Sequence, residues 1–237
     1  MSLTLIPHLS AITTYTESLL VPPNPSLTHA YTTTTAHNIP PIAVSPAQGK
    51  FLSLLAQLSG AKNVLEVGTL GGYSGIWFAE ALKKNGSGGK VTSIEIDPKR
   101  REVAMENLRF AAIRVPEEVE VLLGAGLEVL ATLQKEIEEG VREKFEFIFI
   151  DADWDNQWAY FDWAVKLSQG RGSVVYVDNV VRQLLEIGAV GRPAGERDEG
   201  MVENLVERVA GDGRVEGVVV QTVGGKDYDG FLMAVVM

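Results

Sequence analysis

Short apolar runs alternate with amphipathic segments along the chain from about residue 45 onward. The runs are too short for helices and rich in β-branched residues, which is typical of buried parallel strands. We predict these strands around Val64–Val67, Lys90–Ile96, Val119–Leu123, Phe145–Ile150 and Ser173–Val177. The segments between them place apolar residues at helical spacing, so the order predicts an α/β fold with a mostly parallel sheet and helices on both faces.

The last part of the chain follows a different pattern. Asp155–Leu167, with Asp155 as its N-cap, and Met201–Val209 are predicted helices. The polar, glycine-rich stretch Ile187–Gly200 is interpreted as a lid or interface loop. Val215–Val223 and Phe231–Val236 are predicted to close the sheet as an antiparallel pair.

Residues 1–40 are rich in threonine and interrupted by prolines, and residues 1–44 are taken as an N-terminal segment. Short helices are predicted over Ile12–Leu20 and Leu27–His37, and the segment is expected to pack over the core as a cap. Residues 45–237 are expected to form the core of a single domain, since neither a repeat nor a linker divides the chain.

The first core helix carries a run of capping signals. Ser45 is the predicted N-cap, Pro46 stands at the first helical position, and Gln48 at the position of a capping-box partner. Gly60 is predicted to end the helix. Its predicted apolar stripe consists of Phe51, Leu54, Leu55 and Leu58.

A glycine-rich turn between the first strand and its helix is the most informative stretch. Gly68, Gly71 and Gly72 permit a tight turn with close backbone approach. The G-x-G-x-x-G fingerprint of dinucleotide sites is broken, because Thr69 and Leu70 follow Gly68 without the second glycine.

Glu66 stands at the carboxyl end of that first strand. A carboxylate about 4 Å from a pyrophosphate would repel it by roughly 1–4 kcal/mol, depending on the effective dielectric constant. The same carboxylate attracts the ammonium group of S-adenosylmethionine (SAM), which carries no phosphate. The stretch therefore favours SAM over NAD. The alternative is that it binds no cofactor and is an ordinary strand–helix turn with a surface glutamate.

Composition narrows the chemistry further. The chain has no cysteine, which excludes thiolate nucleophiles, and its three histidines all precede the glycine turn. The net charge of −10 argues against a nucleic-acid partner. Because no apolar run reaches transmembrane length and no secretory signal is found, we expect neither membrane association nor secretion.

Acidic side chains stand at the carboxyl ends of predicted strands, the edge at which parallel sheets bind ligands. Glu95 is placed to accept hydrogen bonds from both hydroxyls of a ribose. Asp151, Asp178 and Asn179 offer two carboxylates and an amide oxygen, which suit Mg²⁺. The alternative is that the two aspartates only cap helices or form turns. Trp154, in the loop after Asp151, is a candidate wall facing a substrate.

Several motifs together resemble the metal-dependent catechol and caffeoyl-CoA O-methyltransferase family of class I SAM-dependent enzymes. They are Q-G-K-F-L from Gln48, V-L-E-V-G-T-L-G-G-Y-S around Glu66, I-E-I-D-P around Glu95, F-I-F-I-D-A-D at Asp151 and V-D-N at Asp178. The resemblance spans residues 42–237. It implies a Rossmann-like fold, a helical N-terminal cap, and methyl transfer to one hydroxyl of a vicinal diol on an aromatic ring.

The resemblance also implies residue roles. Metal ligands are implied at Asp151, Asp178 and Asn179. SAM contacts are implied at Val44, Glu66, Gly68, Thr69, Ser74, Glu95, Gly126 and Asp151. We further expect a small aromatic diol as acceptor, and a cytoplasmic homodimer.

One position departs from the family pattern. A lysine usually stands three residues after the first metal-binding aspartate and serves as general base, whereas this chain has Trp154 there. The next lysine, Lys166, lies a full helix away. Two alternatives therefore stay open: a SAM-binding protein with altered or no catechol activity, and an NAD(P)-dependent oxidoreductase, which Glu66 and the missing glycine disfavour.

Overall fold

The computed structural model describes residues 8–86, 88–191, 202–223 and 228–237. The strands found in these residues are β1 (Asn63–Val67), β2 (Lys90–Glu95), β3 (Val119–Leu123), β4 (Phe147–Ile150), β5 (Val174–Val177), β6 (Val215–Val223) and β7 (Tyr228–Val236). The helices are α1 (Leu9–Leu20), α2 (Pro25–Ala36), α3 (Pro46–Leu58), α4 (Tyr73–Asn85), α5 (Pro98–Phe110), α6 (Gly126–Glu138), α7 (Gln157–Leu167), α8 (Val180–Glu186) and α9 (Leu205–Ala210).

The strands form one mixed sheet in the order β3-β2-β1-β4-β5-β7-β6. The strands from β3 to β5 are parallel, while β7 runs antiparallel to both β5 and β6. This confirms the Rossmann-like fold with a closing antiparallel pair. The strand order reverses at β1, and folds of this kind bind ligands at the carboxyl edge of the sheet beside that reversal.

Two apolar layers cover the sheet, one on each face. Successive side chains of a strand point to opposite faces, and β4 illustrates the consequence. Phe147 and Phe149 pack with α3, α4 and α5, whereas Ile148 and Ile150 pack with α6 and α7. Since β4 is buried on both faces, it is continuously apolar, as the sequence predicted.

The N-terminal segment contributes two helices, as predicted, and each begins earlier than expected. Asn24 caps α2 by accepting a hydrogen bond from the Ser26 N–H at 2.9 Å, and α2 buries Leu27, Ala30 and Thr34. In contrast, α1 has no buried residue. It is tied to the start of α3, where Glu17 accepts from the Ala47 N–H at 3.0 Å.

Helix α3 begins as predicted but faces the core with a different side. Ser45 caps it, accepting from the Gln48 N–H at 3.2 Å. The predicted apolar stripe is wrong, because Leu52 and Ala56 are fully buried while Leu54 is 44 % and Leu58 is 84 % exposed. Close packing on α4 causes the difference, since a Cβ atom on Gly49 would lie 2.2 Å from the Trp77 indole nitrogen.

The region after β4 also differs from expectation. Helix α7 begins at Gln157, so the prediction that Asp155 caps it is wrong. Asp153 organises the turn instead, accepting from the Asn156 N–H at 3.2 Å and the Tyr160 hydroxyl at 2.6 Å. The local pattern was ambiguous because several aspartates precede the helix.

The predicted loop at 187–200 is only partly described. Helix α8 precedes it and was not predicted, while residues 192–201 lie outside the described residues. Helix α9 starts after Asn204, which forms a capping box with Glu207. Among the helices that can be described, none is both long and apolar enough to cross a membrane.

Candidate active site

The glycine turn after β1 lies against the end of β4. Gly68 has a φ of +103°, and a Cβ atom on it would lie 1.9 Å from the Asp151 carbonyl oxygen. Only glycine fits such a position, because it combines a left-handed backbone with close backbone approach. The turn therefore brings the ends of β1 and β4 into direct contact.

Glu66 is fully buried beneath this turn. Its Oε1 accepts from the Ser74 hydroxyl at 2.5 Å, and its Oε2 accepts from the Ser93 hydroxyl at 2.5 Å. Burial is the main cause that raises the pKa of Glu66 to about 7, with the two serine hydrogen bonds opposing the rise and the charge of Glu95 adding to it. Glu66 thus lies behind the turn rather than on its open side.

Glu95 ends β2 and is 4 % exposed. Its Oε2 accepts from the Leu70 N–H at 2.8 Å and its Oε1 from the Asp97 N–H at 3.0 Å. These bonds fix the carboxylate beside the glycine turn and leave lone pairs for a further donor. Ile96 and Leu123, at the ends of β2 and β3, are large apolar side chains left 67 % and 49 % exposed.

Asp151 and Asp178 follow β4 and β5, as predicted, and the structure shows that these parallel strands are neighbours in the sheet. The Asp178 N–H continues the sheet by donating to the Ile150 carbonyl at 2.9 Å. Burial, followed by the charges of Asp178, Glu66 and Asp229, raises the pKa of Asp151 well above its usual range. Burial also raises the pKa of Asp178 to about 6. The two acidic groups therefore stand at neighbouring strand ends, where the charge of Asp178 acts on Asp151.

Gln48 reaches this pair from the other side of the sheet edge. Its Nε2 donates to both carboxylate oxygens of Asp178, each at 2.9 Å, and lies 3.3 Å from the Tyr176 hydroxyl. The predicted capping-box role of Gln48 is therefore wrong, because its side chain turns toward β5 instead of the helix end. Only its place in a family motif signalled the importance of this residue.

Asp229 is a second residue of this cluster that the sequence interpretation missed. Its Oδ2 accepts from the Asn179 side-chain amide at 2.8 Å, and its Oδ1 accepts from the Arg182 N–H at 3.0 Å. Asn179 itself takes a left-handed backbone with a φ of 58°. In the described part of the chain, no group of three or more His, Asp or Glu side chains could hold a metal ion by itself.

Trp154 lies in the loop after β4 and is partly buried. Its carbonyl accepts from the Gln157 N–H at 3.2 Å and from the Gln183 side-chain amide at 3.3 Å. The aromatic residues that follow it are structural, since Phe161 is fully buried and Trp158 stacks on it at a centroid distance of 5.9 Å. This agrees with their helical spacing.

The remaining predicted contacts border the same strands. Val44, just before α3, is 9 % exposed and belongs to the apolar layer that includes Tyr73. Gly126 opens α6, where a Cβ atom would lie 2.8 Å from the Tyr160 ring. Thr69 is 2 % exposed in the glycine turn, and its hydroxyl lies 2.5 Å from that of Ser93.

Curated relatives resemble the chain over nearly its whole length. The sequence model of the O-methyltransferase family matches residues 21–233. The O-methyltransferase imqG of Aspergillus flavus is 43 % identical over 236 residues, covering 97 % of this chain and 92 % of that protein. A catechol O-methyltransferase of Mycobacterium tuberculosis is 38 % identical over 230 residues, covering 97 % of each.

Solved structures agree with these sequence matches. The O-methyltransferase from Bacillus cereus in complex with SAH (S-adenosylhomocysteine) superposes with a TM-score of 0.83 at 41 % identity, covering 98 % of this chain and 100 % of that one. The O-methyltransferase TomG from Streptomyces achromogenes in complex with SAM gives a TM-score of 0.82 at 38 % identity and 98 % coverage of both chains.

Proposed function

The chain belongs to the SAM-dependent O-methyltransferase family, and from that premise we propose that it methylates one hydroxyl of a small vicinal diphenol held by a divalent cation. The single observation that carries the proposal is the pair of carboxylates, the partly buried Asp151 and the buried Asp178, at neighbouring strand ends beside the glycine turn. Family membership excludes the oxidoreductase alternative.

The proposed cofactor is SAM, seated at the carboxyl edge of the sheet beside the glycine turn and the ends of β2 and β4. Glu95 supports this, because its fixed carboxylate keeps lone pairs free for the two ribose hydroxyls. The other proposed contacts are Val44, Gly68, Thr69, Ser74, Gly126 and Asp151, while Glu66, buried behind the turn, is proposed to act on the cofactor through its serine partners. The cofactor-bound relatives from Bacillus cereus and Streptomyces achromogenes support the same class of ligand.

The proposed metal site consists of Asp151, Asp178 and Asn179. Their chemistry fits a hard cation such as Mg²⁺, which prefers carboxylate and amide oxygens and completes its octahedron with water or substrate. The raised pKa values of both aspartates support the fit, because a cation would favour the ionised form that the surroundings disfavour. A bound cation supplies orientation of the diol and a lower pKa for its hydroxyl.

In methyl transfer, a deprotonated acceptor oxygen attacks the methyl carbon of the sulfonium in line with the breaking carbon–sulfur bond. The oxygen–carbon bond forms, the electrons of the broken bond stay on sulfur, and SAH leaves as a neutral thioether. The residues of the chain contribute mainly proximity, by holding cofactor and acceptor at one edge of the sheet. Trp154 is proposed as the wall against the acceptor ring.

A second candidate function is SAM binding with altered or no catechol activity. The observation that favours it is Trp154, which replaces the lysine of the family pattern. An indole donates one N–H and accepts no proton, so it cannot act as a general base. The similarity to the catechol O-methyltransferase of Mycobacterium tuberculosis is the reason that methylation of a diphenol remains the first candidate.

We also propose that the protein is a homodimer. Three apolar side chains of α3 lie on its outer side, where Phe51 is 39 %, Leu54 is 44 % and Leu58 is 84 % exposed. The neighbouring helix α1 adds Ile12 at 54 % and Tyr15 at 68 % exposed. Apolar surface of this extent commonly marks an interface between proteins, and a second copy of the chain is the proposed partner.

The test is a methylation assay over a panel of diphenols and matched monophenols, with and without EDTA. We expect turnover only on vicinal diphenols, loss of turnover with EDTA, and recovery when Mg²⁺ is added. SAM binding, measured separately by calorimetry, should survive EDTA. Turnover that EDTA leaves unchanged would overturn the metal site, and SAM binding without turnover on any diphenol would favour the second candidate.

A further inference from the structure

When Glu66 is ionised, the hydrogens of the hydroxyl groups around it can all be assigned. Each serine hydroxyl has a single hydrogen. The hydrogen of Ser74 is directed to Oε1 of Glu66, and that of Ser93 to Oε2. Because the hydrogen of Ser93 is already used, the short contact between Ser93 and Thr69 requires Thr69 to be the donor.

The outcome is a chain of hydroxyls that all point inward. Thr69 lies in the glycine turn, and Ser74 lies in the first turn of α4. Both hydroxyls have their only hydrogen directed toward the buried network, so they offer the outside nothing but lone pairs. Thr69 at 2 % and Ser74 at 8 % exposed lie nearer the surface than Glu66 at 0 %.

We propose that Glu66 is a positioning residue that acts through Ser93, Thr69 and Ser74 and makes the two outer hydroxyls acceptors for the cofactor's ammonium group. Ser93 thereby gains a role that none of the sequence motifs signals. The buried negative charge fixes the direction of every hydroxyl hydrogen. It also makes the electrostatic potential at the two outer oxygens more negative. The inference rests on the proposed cofactor contacts of Thr69 and Ser74.

Replacing the carboxylate by an amide reverses this chain in either orientation. In Glu66→Gln, an NH₂ group facing Ser74 would occupy its oxygen and release its hydrogen outward. An NH₂ group facing Ser93 would turn the Ser93 hydrogen to Thr69 and release the Thr69 hydrogen outward. One outer hydroxyl therefore becomes a donor in both cases, and a donor opposes an ammonium group.

Protonation of Glu66 should have the same effect as the amide. The acidic groups that face it are Glu95 and Asp151, and burial is the largest cause of its raised pKa of about 7. A bound ammonium group favours the ionised carboxylate. Affinity for SAH should therefore rise as the pH increases through about 7 and level off above it.

The experiment compares two ligands by calorimetry: SAH, which carries the ammonium group, and 5′-methylthioadenosine, which lacks the amino-acid part. Because a charge-assisted hydrogen bond is lost, we expect Glu66→Gln to weaken SAH binding about ten- to a hundredfold. Binding of 5′-methylthioadenosine should stay the same. The rise of SAH affinity through neutral pH should be smaller in this variant than in the wild type, with Asp151 as the acidic group that remains.

A second variant, Ser93→Ala, tests the same inference if Glu66→Gln folds poorly. Ser93→Ala retains the charge of Glu66 but removes the acceptor of Thr69, so it should weaken SAH binding selectively and by a smaller factor. Ser168→Ala is the matched control, because Ser168 is also a buried serine and donates to the Val165 carbonyl at 2.8 Å, away from the site.

Three results would overturn the inference. Equal losses for the two ligands would indicate a purely structural role for Glu66, and unchanged SAH binding in both variants would remove the role altogether. A rise of SAH affinity with pH that is as large in Glu66→Gln as in the wild type would assign the whole pH dependence to another group. If the wild-type protein bound neither ligand, the proposed cofactor contacts would fail together with the inference.

Discussion

Asn179 donates a hydrogen bond from its side-chain amide to the carboxylate of Asp229 at 2.8 Å. A carboxylate only accepts hydrogen bonds, so this contact fixes which end of the Asn179 amide faces Asp229. The Oδ1 atom must then face the opposite way. An amide oriented in this manner is a prerequisite for an oxygen ligand, and β7 supplies the group that orients it.

Asp229→Asn should therefore weaken the binding of a divalent cation. The new side-chain amide has a single oxygen, so it cannot accept from both the Asn179 amide and the Arg182 N–H. Its NH₂ group would face one of these two donors. Loss of such an outer partner typically lowers metal affinity about 10- to 100-fold. Titration calorimetry with Mg²⁺ or Mn²⁺ measures it, and Asp162→Asn, on the surface of α7, is the control. Equal affinity in both variants would contradict the orienting role.

Trp154 leads to a prediction about the pH dependence of turnover. Without a general base, wild-type turnover on a simple diphenol should be slow and rise with pH as the substrate ionises. Trp154→Lys should accelerate turnover near neutral pH, by up to the roughly 10²–10⁴-fold that general-base catalysis supplies. It should also weaken acceptor binding, because ring stacking is lost.

The measurement is the pH–rate profile of both forms on one diphenol, with Trp154→Phe as the control that keeps an aromatic wall without adding a base. A wild-type profile that is fast and flat around neutral pH would mean that another group accepts the proton. The stacking role of Trp154 would then need separate support.

Arg142 leads to a prediction about stability. It lies 2.5 Å from Glu120 and 2.5 Å from Glu136, and its side chain is 16 % exposed. Burial tends to raise the pKa of Glu120, but hydrogen bonds from Arg142, Lys90 and Thr92 outweigh it and lower the pKa. Arg142→Met should lower the free energy of unfolding by about 2–3 kcal/mol. This is somewhat less than the cost of removing one partner from a fully buried ion pair.

Because the folded-state pKa of Glu120 is depressed, its stabilising contribution is fully present above its unfolded-state value of 4.5 and is lost as the pH falls through the folded-state value. The difference between Arg142→Met and wild type should therefore shrink in acid. Urea unfolding of both proteins at neutral and acidic pH measures this difference in the free energy of unfolding. Arg114→Met, in a pair whose arginine is 72 % exposed, should cost less than about 1 kcal/mol.

The outer side of α3 leads to a prediction about assembly. Leu54→Glu places a charge in the middle of the proposed interface and should shift a dimer to monomers in analytical ultracentrifugation. Val141→Asp is the control, since Val141 is 73 % exposed after the end of α6. If the wild-type protein is a monomer, the proposed dimer is wrong. If Leu54→Glu leaves a dimer intact, the interface lies elsewhere on the protein.

The sequence by itself determined the features that depend on neighbouring residues. The order of strands and helices follows from local periodicity, and the cap at Ser45 follows from a side chain that bonds to a nearby backbone group. The glycine turn and the acidic strand ends were also readable, because a parallel sheet brings its carboxyl ends to one edge whatever the details of packing.

Only the tertiary structure decided which distant residues meet. Gln48 and Asp178 are 130 positions apart, and Asn179 and Asp229 are 50 apart. Such contacts depend on strand order and register, which place α3 and β7 beside β5. The buried side of α3 was likewise decided by close packing on Trp77, because the helix carries apolar residues on more than one side and its own pattern could not choose between them.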